Sequence, residues 1–121
     1  MVAVPTPNEH GVFLPDQCET VISDRIENRS EIIIYLIQIG ADDWISNSRI
    51  SLPDRAAGGY PSISRHTPHF ADRYGAFFYE LDYAMNFCRR AISDRSTSKV
   101  CKSHARRLLR WCVMQCQTRF V

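Results

Sequence analysis

The sequence predicts an all-α fold, a small bundle of about five helices ending in an antiparallel helical hairpin, and three observations predict it. Between residues 68 and 92, Phe70, Tyr74, Phe77, Phe78, Leu81, Ala84, Met85, Cys88 and Ile92 fall within a sector of about 120° at helical pitch. Between residues 99 and 118, Cys101, Ala105, Leu108, Leu109, Cys112, Val113 and Cys116 form a second apolar stripe. The polar stretch 93–98 between them is short enough to fold one helix back on the other. At 121 residues, 45% hydrophobic and 23% charged, with no internal repeat or low-complexity tract, the chain reads as a single helical domain, 1–121.

Each element follows in order. Residues 1–15 hold Pro5, Pro7, Gly11 and Pro15 and read as an extended N-terminal arm that docks by Val12, Phe13 and Leu14. Asp16, with Glu19 three positions later, gives a capping-box start, and Cys18, Val21, Ile22 and Ile26 recur at helical spacing, predicting a helix over 16–28. Residues 31–39 are ambiguous. Their β-branched density suits a strand, but no second convincing strand exists to pair with it, and a lone strand leaves backbone donors unsatisfied. The reading is a buried helix, started by Ser30 and stopped by Gly40. Asp42 or Asp43 then caps a short helix through Trp44, Ile45 and Ile50 that ends before Pro53. Short helices thus fill 16–52, and 53–67, with Pro53, Gly58, Gly59 and Pro61, is the one long loop. The helical hairpin spans 68–119, opened by Thr67 as cap with Pro68 in the first turn and, for its second helix, by Ser98.

A net charge of +2 conceals a polarity. Residues 1–43 hold eight acids against Arg25 and Arg29, a net of −6, whereas residues 83–121 hold nine bases against Asp94 alone, a net of +8. Such polarity either holds the two ends of one domain together or offers surfaces of opposite sign to partners. The most informative feature is the last helix, where Lys99, Lys102, Arg106, Arg110 and Gln117 project within about 80° of one another, opposite the apolar stripe. No acid stands between residues 95 and 121 to neutralise that ridge. On the preceding helix Tyr79 and Tyr83 form an i, i+4 pair away from the apolar sector, with Asn86 and Arg90 alongside. Exposed Tyr and Arg anchor interfaces.

Sets that could carry chemistry are weaker. Cys101, His104, Cys112 and Cys116 have the residue types of a Cys₃His zinc site, but on one helix Cys101 and Cys116 stand roughly 22 Å apart. His66, His69 and Asp72 are the types of a metal or general-base set, yet Asp72 also answers the dipole of a helix start. No nucleophile elbow or phosphate-binding glycine loop accompanies any cysteine or histidine. No catalytic residue, metal or cofactor is assigned, and the chain reads as a non-enzyme; a metal- or thiol-dependent hydrolase on those residues is the contrary reading. A helix-turn-helix across 31–39 and 43–52 would offer Ser46, Asn47, Ser48 and Arg49 to bases, with Asp42 and Asp43 repelling phosphates. Five cysteines, an odd number without an export signal, imply reduced thiols and a cytoplasmic location, and the apolar run 32–39 is too short to span a membrane.

The expectation is a protein that works by occupying a macromolecular surface, an inhibitor or adaptor that binds a protein of a nucleic-acid-handling machine. It would use the ridge Lys99, Lys102, Arg106 and Arg110 and the patch Tyr79, Tyr83 and Arg90. A DNA- or RNA-binding regulator built on the basic helix is the alternative, and an uncovered hairpin would form a homodimer. The profile, one small domain with polarised charge and no catalytic set, resembles that of phage- or mobile-element-encoded anti-defence proteins, anti-CRISPR proteins among them. No motif carries that resemblance.

Overall fold

In the computed structural model, which describes residues 4–118, a four-stranded antiparallel sheet is backed by two helices. The first three residues of the predicted arm, and the predicted hairpin end at 119, lie outside the described residues. Strands β1 (Glu19–Ile22), β2 (Glu31–Gly40), β3 (Asp43–Leu52) and β4 (Arg55–Gly58) pair in chain order as a meander, and helices α1 (Arg73–Ser93) and α2 (Lys99–Thr118) follow. The architecture is α+β, so the predicted all-α bundle of about five helices is overturned across residues 16–58.

The correction has a physical cause at each element. β2 is the long central strand, and both of its faces are covered: Ile32, Ile34 and Leu36 pack under the helices, while Tyr35 and Ile37 are buried on the opposite face. A strand buried on both sides reads as an unbroken apolar run, which periodicity does not distinguish from a buried helix. Its partners were the missing observation. β3, predicted as a helix from residue 43, turns Trp44, Ile50 and Leu52 toward the helical core, but Ser46 and Ser48 occupy the positions between them. The predicted helix over 16–28 is instead a single 3₁₀ turn, Pro15–Gln17, followed by β1, whose Thr20, Val21 and Ile22 are all β-branched. A helix-turn-helix across 31–39 and 43–52 is excluded by the same strands.

Tight turns set the register. Ala41 and Asp42 join β2 to β3, and Pro53 and Asp54 join β3 to β4, within the span predicted as one long loop. Between β1 and β2, Ile26 and Ser30 exchange backbone bonds across a turn whose Glu27 and Asn28 both lie in the left-handed region (φ 53° and 57°). At the end of β4, Gly58 has φ +99°, and a Cβ there would stand 1.7 Å from the carbonyl oxygen of Ser48. Only glycine permits that approach of β4 to β3.

The second face of the sheet is closed by the arm. Phe13, fully buried, packs on Ile37 and Ile45, and residues 11–13 pair with 61–63 through Phe13 N–H to Pro61 O and Ile63 N–H to Gly11 O. The arm therefore docks by Phe13, as the sequence expects, while Leu14 stays exposed.

The first helix begins later than Thr67–Pro68 suggests. Thr67 Oγ1 accepts from Ser64 N–H and donates to Ser62 O, which closes a loop, and Phe70 forms an isolated bridge with Trp44 at the start of β3. Asp72 is the N-cap of α1, accepting from Gly75 N–H at 2.8 Å, and Arg73 Nε reaches Glu19 Oε2 at 2.6 Å, tying α1 to β1. Ser98 Oγ accepts from Cys101 N–H at the start of α2. Phe77, Leu81, Ala84 and Cys88 of α1 and Cys101, Ala105, Leu108 and Cys112 of α2 share one buried core with β2 and β3. A latch joins the β3–β4 turn to the α1–α2 turn: Arg55 holds Asp54 in two bonds and Thr97 Oγ1 at 2.7 Å, and Cys101 Sγ donates to Asp54 Oδ1 at 2.9 Å.

Candidate functional site

The ridge residues stand where an amphipathic helix places them, on the outward side of α2. The buried side chains of α2 are Cys101, His104, Ala105, Leu108 and Cys112, and Lys99, Arg106 and Arg110 on the opposite side are exposed, with Lys102 at the margin. None of the four makes an ion pair with a described residue. Val113 and Met114, 39% and 54% exposed, continue the same surface, so the ridge is basic along its length and apolar toward its end.

The acidic first third is only partly free to answer those bases from within the chain. Glu19 is held by Arg73, Glu31 by Arg25, and Asp43 by His69 at 2.7 Å. Glu27 lies 3.5 Å from His104 Nε2. These pairs fasten β1, the β1–β2 turn and β3 to their neighbours, and they leave the α2 ridge without an ion pair among the described residues, Lys102 alone feeling the charge of Asp94.

Tyr79 and Tyr83 sit on the other flank of α1, 49% and 41% exposed. They line a cleft of about 240 Å³ between α1, β3 and the segment 62–68, together with Ser46, Asn47, Thr67 and Glu80. Tyr79 is steadied by Phe70, ring centroids 5.2 Å apart. Arg90 is exposed further along α1 and lines no part of this cleft, so the predicted patch divides, with the two tyrosines at the cleft and the arginine beyond it.

Glu80 is the residue that the sequence reading missed. It is 4% exposed, has no ion-pair partner, and accepts one hydrogen bond among the described residues, from Ser46 Oγ at 2.8 Å. Burial raises its carboxyl above the ordinary value of 4.5, and the Ser46 bond and the nearby Ser48 dipole only partly oppose that. Ser48 Oγ, fully buried, makes no hydrogen bond of acceptable geometry, so its contribution is that of an adjacent dipole. A signal for this group was present in the sequence: Ala76, Glu80 and Ala84 are spaced by four on a helix, and Ser46 and Ser48 by two on a strand. Small residues bring α1 close to the sheet there, and the acid meets the serines.

The other chemical sets do not assemble. His69 binds Asp43, Asp72 caps α1, and His66 accepts from Arg65 Nε, so the three have separate partners. His104 is buried with Nδ1 2.6 Å from Ser30 Oγ, fastening α2 to the β1–β2 turn rather than meeting Cys112 or Cys116. No cluster of metal-ligating side chains occurs among the described residues. Cys88 and Cys112 face one another's helices in the core, and burial pushes both thiols up to about 12, which leaves almost no thiolate at neutral pH. All five cysteines are free.

A second cavity, about 600 Å³ and mostly apolar, opens between the arm at Val4 and Pro5 and the end of β2 at Ile37 and Ile39. Among the described residues no helix is long and apolar enough to cross a membrane. Comparison of the chain with protein-family models, with curated proteins and with solved structures finds no match, so function rests on the surfaces just described.

Proposed function

We propose that this α+β protein acts without catalysis, by binding a macromolecular partner through the outward face of α2. The observation that carries the reading is a row of four cations, Lys99, Lys102, Arg106 and Arg110, none of which forms an ion pair with a described carboxylate, Asp94 alone acting on Lys102 from a distance. Held on one helix, the row has a pre-organised backbone, so docking orders side chains and not the chain itself. Exposed Val113 and Met114 on the same surface favour a protein partner with an acidic, partly apolar face over a bare phosphate backbone. Of the four cations, Arg106 and Arg110 suit bidentate grip on carboxylates, and Lys99 and Lys102 add point charges. The polarity of the chain, acidic first and basic last, agrees with an inhibitor or adaptor that docks on a nucleic-acid-handling machine in the cytoplasm.

The test is affinity capture by the immobilised chain, with and without nuclease, read by mass spectrometry and stoichiometry. A protein recovered in stoichiometric amount after nuclease is the expected result. Recovery that vanishes with nuclease, or direct duplex binding that weakens steeply with salt, would replace this reading with that of a nucleic-acid binder.

A further inference from the structure

Glu80 poses a question that the fold does not answer. A carboxylate 4% exposed, unpaired and given a single full hydrogen bond is an expensive group to bury. Structural carboxylates of this chain are treated otherwise. Asp54 is held by Arg55 and Cys101, and Asp72 by a helix N-terminus. Glu80 instead lines an open cleft.

The rest of the lining narrows the ligand. Asn47 is committed, its Nδ2 donating to Tyr60 O and its Oδ1 accepting from Ser48 N–H, and Thr67 is committed within its own loop. What remains open is the Glu80 carboxylate, the hydroxyls of the two tyrosines and their ring edges and faces. No base lines the cleft. A negative floor under aromatic walls attracts a cation, by charge and by the ring quadrupoles. The volume, about 240 Å³, is below the roughly 300–1,000 Å³ of pockets for drug-sized ligands, so the ligand is a small head group.

We propose that the cleft between β3, α1 and residues 62–68 is a binding site for an organic cation, a guanidinium or alkylammonium head that pairs with Glu80 between Tyr79 and Tyr83. Such a head comes either from a free small amine or guanidine or from an arginine or lysine side chain presented by a peptide. The site lies on the flank of α1 and does not depend on the ridge. Cation binding requires the ionised carboxylate, and Glu80 is the one carboxylate in the lining.

The experiment is a titration of the full chain, followed in ¹⁵N–¹H correlation spectra at constant ionic strength. The probes are methylguanidinium, butylammonium, N-acetyl-arginine amide and N-acetyl-lysine amide, with sodium chloride as the matched control. Saturable shifts at Ser46, Asn47 and Tyr83 are expected from the wild type. Affinity should fall at least tenfold in Glu80→Gln, which preserves shape and the Ser46 contact, and several-fold in Tyr83→Ala, whose half-exposed side chain is not needed for folding. An acetyl-amide probe that binds tenfold tighter than the free cation assigns the site to a peptide side chain; equal or weaker binding assigns it to a small free cation. The absence of saturable shifts with all four probes, or equal affinity in a folded Glu80→Gln protein, would overturn the proposal.

Discussion

The outward face of α2 and the cleft beside Tyr83 both carry charge without a counter-ion, in opposite surroundings. Arg106 and Arg110 stand in water, where an unpaired cation costs almost nothing, whereas Glu80 is 4% exposed and its charge is opposed by burial. The two charges therefore carry unequal weight. A solvated row of cations is consistent with any polar face and gains meaning only from its single sign and its exposed apolar end. A dry, unpaired carboxylate is costly in itself, and such groups persist where something uses them.

Four variants probe that contrast, and the largest effect belongs to β4, the neighbour of the strand that floors the cleft. Gly58→Ala drives a Cβ against the Ser48 carbonyl at φ +99°, so it should cost at least about 3 kcal/mol, seen as a collapse of the denaturant midpoint. Survival of wild-type stability would mean that β4 does not lie against β3 as described. Glu80→Gln comes next. It should raise stability at neutral pH by about 1–3 kcal/mol, the usual cost of an incompletely satisfied buried polar group.

The pH dependence carries a sign. Because the folded-state value of Glu80 is raised, its contribution is full below the ordinary value of 4.5 and is lost as pH rises through the folded value, so the wild type should weaken over that window. Glu80→Gln should flatten the limb. Asp54 behaves oppositely: the Arg55 and Cys101 bonds hold it at about 2, so its contribution is present above 3.8 and disappears as pH falls through about 2. A stability curve with no alkaline-side decline, or one unchanged by Glu80→Gln, would contradict a charged, dry Glu80.

The smaller effects lie on the helices. Ser98→Ala removes the cap on Cys101 N–H and should lower the denaturant-derived stability by about 1 kcal/mol. Reversing Arg106 and Arg110 to Glu should change stability by no more than about 0.5 kcal/mol, since neither touches a described partner. A larger loss would show that the ridge is part of the fold rather than a free surface.

What could be read from the sequence divides along the same line. The two helices were legible because each presents one apolar face to one core, and Ser98 stood at the start of α2 as expected. The sheet was not. β2 lacks alternation because both its faces are buried, and β3 shows a broken alternation because Ser46 and Ser48 interrupt Trp44, Ile50 and Leu52. Those serines face Glu80. The polar contact that marks the cleft thus also erased the signal of the strand beneath it, and with β3 unread, β2 had no partner and was read as a helix. Departures of this kind from local pattern gather at sites with a role beyond packing. The ridge needed only helical spacing, whereas pairing Tyr79 and Tyr83 with a buried acid required knowing which side of α1 meets the sheet.

If the basic face of α2 captures a partner, reversing its charge should abolish the capture. Wild type and the Arg106→Glu, Arg110→Glu double variant, equally folded by circular dichroism, are compared for nuclease-resistant capture of the same protein. Stoichiometric recovery by the wild type and at least a tenfold loss in the variant are expected. Equal recovery by both would contradict this and remove the ridge from the binding surface.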